Sequence, residues 1–285
     1  MAKLYGWLLA CGLLTSTSYA QGHGPGTRGA RAAALGGAAA TLTDVWAVGN
    51  NAAGLGQLRQ ATAAVYVENR YLLSALNTVA VAAAAPLGGP VETGKTARRG
   101  VVGFEAQRFG GRLYNEQRLG AGYGYRGGLV SVGARLDVLQ VSIEGLGSRR
   151  AVAASLGGQA ELLQRRLVFG AYLYNLNQAR LADYQNERVP TVLRAGLSYR
   201  PSDKVLLSVE TEKDVEQPAD FRAGLEYRVV EALALRAGLR TLSEEATGGF
   251  GFRAGQLQLD YAAAWHAALG LSQHLGLSLT LTKTP

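Results

Sequence analysis

The chain has little of what most folds and chemistries need. One cysteine, Cys11, and three histidines, His23, His266 and His274, are scattered along 285 residues. That is too few and too dispersed for a disulfide framework or a Cys/His metal site, so metal and redox chemistry are not expected and no cofactor is implied. Proline is scarce, at 7 residues, while glycine reaches 38. Abundant glycine without proline fits tight turns and small wall positions better than disorder. After residue 20 no uninterrupted apolar stretch reaches ~18 residues, so no transmembrane helix is expected.

Basic residues are plentiful, with a formal net charge of +8. Apart from Arg98-Arg99, Arg149-Arg150 and Arg165-Arg166 they sit singly, at every second position of alternating segments. A nucleic-acid surface clusters its cations to meet phosphates; this spacing argues against one.

The N-terminus reads as an export signal. Lys3 precedes an apolar run of about eleven residues, Leu4 to Leu14, and Ser18-Tyr19-Ala20 offers a small-x-small cleavage site before Gln21. A lipoprotein alternative would use Leu8-Leu9-Ala10-Cys11. Residues 1–20 are therefore expected to be a signal peptide, with cleavage near Ala20.

Arg28 to Leu55 is apolar and rich in small residues, yet too short to span a bilayer, which takes ~20 residues as a helix. It must be buried in something. Its Ala-rich part, Gly29 to Ala40, favours a short helix broken at Gly36-Gly37. Thr41, Thr43 and Asp44 are capping and turn types, and Asn50-Asn51 before Ala52-Ala53-Gly54 signals a loop or helix end.

From Ala61 the period becomes two, giving about fourteen candidate strands up to Thr282. In V-L-R-A-G-L-S-Y-R, Leu193, Ala195, Leu197 and Tyr199 alternate with Arg194, Gly196, Ser198 and Arg200. The same alternation sets Phe221, Ala223, Leu225 and Tyr227 against Arg222, Gly224, Glu226 and Arg228, and Leu233, Leu235, Ala237 and Leu239 against Arg236 and Arg240. A soluble sandwich would bury the apolar face between sheets; a membrane barrel would show it to lipid. Segments of about nine to thirteen residues match a tilted crossing and are long for sandwich strands. Tyr125, Tyr172, Tyr174, Tyr199, Phe221, Tyr227 and Tyr261, counted with the apolar set near segment ends, fit aromatic girdles. The reading is an all-β, antiparallel transmembrane barrel over residues 59–285, packed against an N-terminal segment, 21–58. Short turns such as Pro201-Ser202-Asp203 should line one rim, and the longer stretches Pro86 to Arg99 and Asn177 to Pro190 the outer one.

Gly29-Ala30-Arg31, Leu35-Gly36-Gly37-Ala38, Asp44 and Asn51-Ala52-Ala53-Gly54-Leu55 resemble the N-terminal signature of the FadL superfamily, particularly its PorV/PorQ-like branch from Bacteroidetes. That branch has G-A-R-x-x-x-M-G-G-A, an Asp and N-P-A-G-L; here Leu35 stands at the Met and Ala52 at the Pro. Leu235-Arg236-Ala237-Gly238, Gly249-Phe250-Gly251-Phe252, Leu259-Asp260-Tyr261-Ala262 and Leu269 to His274 are similar to its closing strands. The resemblance implies a fourteen-stranded outer-membrane barrel with an N-terminal hatch, made here of Arg31, Leu35, Gly36, Gly37, Asp44, Trp46, Asn51, Gly54 and Leu55. Two functions are expected: passage of a hydrophobic small molecule through a hatch-gated lumen, or, as the PorV-like branch implies, anchoring or shuttling of type IX secretion cargo. The partners are then the outer-membrane bilayer and either a hydrophobic ligand or secretion proteins. Arg194, Arg222, Glu226, Arg236, Arg240 and Asp260 are expected to pair as charges on the lumen wall. Glu210, Glu212 and Glu226 could be paired catalytic carboxylates and His266 and His274 bases, but abundant Arg makes ion pairing the simpler account, and no nucleophile motif accompanies them. Gly120-x-Gly122-x-Gly124 lies inside an alternating strand and so is no phosphate loop.

Overall fold

The computed structural model describes residues 24–88, 99–181 and 187–281. The signal-peptide reading falls outside them. Fourteen antiparallel strands run from Ala61 to Leu281, each pairing with its neighbours in sequence, and the first pairs with the last. They are β1 (Ala61–Asn69), β2 (Asn77–Pro86), β3 (Val101–Gly110), β4 (Tyr114–Gly127), β5 (Val130–Ile143), β6 (Gly147–Leu162), β7 (Leu167–Tyr174), β8 (Val192–Ser202), β9 (Val205–Asp214), β10 (Asp220–Val230), β11 (Leu233–Arg240), β12 (Glu245–Ala254), β13 (Leu257–His266) and β14 (Gly270–Leu281). Pairing of Ala61 with Leu281 through Asn69 with Gln273 closes the sheet. Closure leaves no strand edge to satisfy, which a sheet in hydrocarbon requires.

The burial pattern inverts that of a soluble protein. On β8 the arginine Arg194 is 0% exposed while Leu193 and Leu197 are 50% and 42% exposed. The same holds around the barrel: Glu105, Arg135, Asp137, Glu210 and Asp260 are buried, and Phe104, Leu119, Leu136 and Val209 are exposed. Leucine rows of this extent on an outer surface are stable only against lipid.

Two expectations from the sequence are corrected. Tyr172 and Tyr174 do not belong to a girdle: on β7 they fall at inward positions, 2% and 0% exposed, beside Leu139, Val141 and Val192. The run Leu167 to Tyr174 is apolar on both faces, so alternation could not orient it. Tyr125, Tyr199, Tyr227 and Phe221 do point outward, each at least 40% exposed. The two long connections also lie on opposite rims. β2 ends and β3 begins on the rim where β1 starts at Ala61 and β14 stops at Leu281, here the terminal rim, whereas β7 ends and β8 begins on the far rim. Loop length was a poor guide because the parity of the preceding strand decides the side.

The β7–β8 connection turns inward rather than standing clear. Its Leu181 and Val189 are buried against Tyr172 and Tyr174, and Asn175 donates to the Val189 carbonyl at 2.7 Å.

Inside the barrel sits the segment 24–58. It contains two short helices, α1 (Ala30–Ala34) and α2 (Ala47–Asn50), and a 3₁₀ turn over Ala52–Gln57. α1 ends where Gly36 and Gly37 take positive φ of 66° and 81°, a conformation that glycine adopts without steric cost.

Leu136→Arg, in the middle of β5's outward row, should lower the unfolding free energy in lipid vesicles by about 2–4 kcal/mol, the cost of a midplane cation. Urea titration of the refolded protein measures it; an unchanged midpoint would contradict lipid exposure of this face.

Candidate functional site

The inner segment carries backbone polar groups into a space walled off from bulk water, and each needs a partner. Inward positions of the strands supply them. Three charge networks tie the segment to the wall.

The first centres on Glu105 of β3. Arg28 of the segment donates to it at 2.8 Å, and Arg135 of β5 donates at 2.8 Å from the other side. Arg135 also holds Asp137 at 2.8 Å and donates to the Val48 carbonyl at 2.6 Å, fixing α2. The second centres on Glu226 of β10, which accepts from Arg31 at 2.8 Å and from Arg236 at 2.7 Å. Arg236 donates in turn to Asp260 of β13 at 2.7 Å. The third links Arg194, Glu210, Glu212 and Arg222. Glu210 accepts the amides of Ala39 and Ala40 at 2.8 and 2.7 Å, Arg194 donates to the Gly26 carbonyl at 2.8 Å, and Arg222 bonds Glu212 at 2.6 Å. Arg240 completes the set by donating to the Gly36 carbonyl at 3.0 Å.

Burial acts against the charge of Arg31, but Glu226 outweighs it and holds the guanidinium above its ordinary pKa. Burial raises the pKa of Asp44, and Arg31, 3.7 Å away, offsets this only in part.

The other residues singled out by sequence fall along the same segment. Asp44 accepts from the Trp46 amide at 3.0 Å, an Asx turn that starts the bend into α2. Trp46 packs edge-on to Tyr66 of β1, with ring centroids 5.7 Å apart, so it anchors the segment to the wall rather than sitting at a membrane interface. Asn51 caps the 3₁₀ turn by accepting from Ala53 and donates to the Ala40 carbonyl at 2.7 Å. Leu35 packs with Ala32, Ala39, Leu42 and Leu206. Gly36 lies so close to the wall that a Cβ would meet the Leu239 carbonyl at 2.5 Å, and Gly54 is crowded by the Leu42 carbonyl. Leu55 inserts where Gly103 and Gly124 leave room in the wall.

Sequence reasoning missed several members. Asn50 pairs both ways with the Arg28 backbone, at 2.8 and 2.9 Å, tying the start of the segment to its end. Gln159 donates to the Ala40 and Leu42 carbonyls, and Glu105, Arg135 and Asp137 form the first network. Their inward phase was readable from the alternation; their partners on the inner segment, dozens of residues away, were not. Tyr66 and His274 share a hydrogen bond at 2.8 Å inside the barrel.

The segment separates two cavities. The far-rim cavity holds about 190 Å³ and is lined by groups such as Glu68, Arg118, Glu212 and His274. The cavity on the terminal rim holds about 600 Å³, with Val45, Trp46 and Leu58 among its lining and arginines around it. The apolar face of the segment contributes little to either lining, because Ala32, Ala34 and Leu35 are all at most 2% exposed, packed on the wall.

No family model matches the chain, and no curated protein matches it in sequence. In fold it is similar to the toluene transporter TodX of P. putida, with a TM-score of 0.61 and 12% identity over 90% of this chain and 99% of that one. It is also similar to a ΔS2 mutant of the TodX monoaromatic hydrocarbon channel, with a TM-score of 0.59 and 12% identity over 88% and 96% of the two chains. The Acinetobacter baumannii outer membrane protein Omp33 gives 0.51 and 9% identity over 79% and 100%. The architecture is that of outer-membrane barrels.

Glu226→Ala should leave Arg31 and Arg236 without their shared carboxylate, at a cost of about 1–3 kcal/mol to the docking of the inner segment, since Arg236 keeps Asp260 and Arg31 keeps Asp44 and some contact with water. The expected readout is faster proteolysis within residues 24–58 while the heat-modifiable migration of the barrel persists; unchanged cleavage would show that this network does not hold the segment.

Proposed function

We propose that the protein resides in the outer membrane and passes a hydrophobic small molecule passively through its lumen, with residues 24–58 as a movable hatch. One observation carries this reading: a continuous segment fills the lumen and divides it into two cavities, held by noncovalent bonds alone, so passage in either direction requires its displacement. Its apolar face packs on the wall in this closed arrangement. Displacement would uncover alanine and leucine surface, the kind that lines sites for apolar ligands. The likeness of the fold to a toluene transporter and a hydrocarbon channel favours the same class of cargo, and the FadL-like motifs at both ends of the chain point the same way.

A second reading is an anchor or shuttle for secreted proteins, as the PorV-like signature implies. The filled lumen favours it, since the β7–β8 connection and the inner segment both occupy interior space.

Flux of a hydrophobic solute into liposomes, measured with the full chain and with residues 21–58 deleted, separates the readings. The transport reading expects slow uptake for the full chain and faster uptake, with measurable single-channel conductance, for the deletion. Absence of flux and conductance in both forms, with secretion components recovered by pull-down from outer membrane, would favour the anchor.

A further inference from the structure

The terminal-rim mouth contains a repeated feature that the transport reading does not use. On every second strand from β6 to β14, one backbone amide reaches past its ladder to a carbonyl of the preceding turn. Glu161 donates to Leu129, Arg200 to Arg166, Arg228 to Lys204, Arg253 to Ala232 and Thr280 to Gln256, all at 2.7 to 2.9 Å. These five residues therefore stand at one level around the mouth. Arg200, Arg228 and Arg253 follow the inward residues Ser198, Glu226 and Gly251 by two, so they share the lumen-side phase, and all three line the cavity of about 600 Å³.

The charge there is not balanced. Arg31, Arg236, Asp44, Glu226 and Asp260 also line the cavity, but the two arginines are committed to those three carboxylates. At the β6 position Glu161 is bound by Arg126 at 2.6 Å. Among the described residues no carboxylate pairs with Arg200 or Arg228, and Arg253 donates only to the neutral Gln258, at 2.7 Å. Glu231, in the β10–β11 turn, is the one remaining acid of the lining. Three guanidiniums thus face this cavity against a single free carboxylate. Alternate strands lie about 10 Å apart, twice the inter-strand spacing. Long arginine side chains on such a ring converge on a multivalent anion between them better than on a lone halide, and arginine binds oxyanions through paired N–H donors.

We propose that this mouth is a binding site for a small multivalent oxyanion of the phosphate class, held by Arg200, Arg228 and Arg253. It does not depend on what crosses the lumen.

The test is calorimetric titration of the refolded full chain in a neutral detergent with pyrophosphate, inorganic phosphate and chloride. Binding of pyrophosphate at one per chain, weaker binding of phosphate, none of chloride, and loss of affinity with rising salt are expected. The combined variant R200Q/R228Q/R253Q should lose at least tenfold in pyrophosphate affinity, and each single Arg→Gln variant part of that, while Arg149→Gln on the far rim retains it. Heat-modifiable migration verifies folding of every variant, and the single variants decide the matter where the triple does not fold. Failure of the wild type to bind either phosphate species, or retention of affinity in the folded variants, would overturn the site. Binding of an oligoglutamate peptide without binding of pyrophosphate would overturn it in favour of a protein-docking surface. Solute flux is read separately, so the anion site and the transport reading fail independently.

Discussion

The structure depends on how a stretch of irregular backbone is satisfied inside a closed barrel. The segment 24–58 has only two short helices, so many of its amides and carbonyls lack partners of their own. An unpaired buried group costs about 1–3 kcal/mol, and a segment with several would not remain inside. The wall answers with long side chains that reach inward: Arg118, Arg135, Arg194 and Arg240 to carbonyls, Glu210 to two amides, Gln159 to two carbonyls. Three of these arginines also pair with carboxylates, Arg135 with Asp137, Arg194 with Glu212 and Arg240 with Glu245. Charge pairing across the wall and backbone satisfaction of the segment are one network.

This accounts for the composition of the inward face. Arginine is needed because one guanidinium can serve a carboxylate and a carbonyl together, as Arg135 does for Asp137 and Val48. Glycine is needed where the segment touches the wall: Gly124, Gly133, Gly224 and Gly238 all face backbone of residues 35–56 with no room for a side chain. Arginine and glycine at alternate positions are thus two halves of one device, reach where the segment is distant and clearance where it is close.

The fold was legible because alternation is local. Leu193, Leu197 and Leu225 against Arg194, Ser198 and Glu226 orient β8 and β10 without knowledge of their neighbours. Where alternation fails, as at Tyr172 and Tyr174, orientation was lost, because an apolar inward face belongs to a lumen filled by protein rather than water. The site was legible only in part. Pairing of Arg236 with Asp260 follows from inward phase and nearness in sequence. Pairing of Arg28 with Glu105, or of Asn50 with the Arg28 backbone, depends on the path of the segment through the lumen. That path is set by Gly36, Gly37 and the Asx turn at Asp44 acting together, and no single window of sequence contains it.

The networks are unequal in what they oppose. The Glu105 group is buried on every side, with the side chains of Arg28, Arg135 and Glu105 at 5%, 2% and 0% exposed. The Glu226 group is wetter, with Arg31 at 19% and Asp44 at 28%. Water lowers the Coulomb gain of a pair but also shrinks the cost of breaking it, since a separated charge in contact with solvent is not stranded. Displacement of the segment is therefore cheapest at α1 and the Asp44 turn, next to the larger cavity, and costliest at α2. The segment is thus held with least burial at α1 and the Asp44 turn and with most at α2, where the Glu105 group closes on it from both sides.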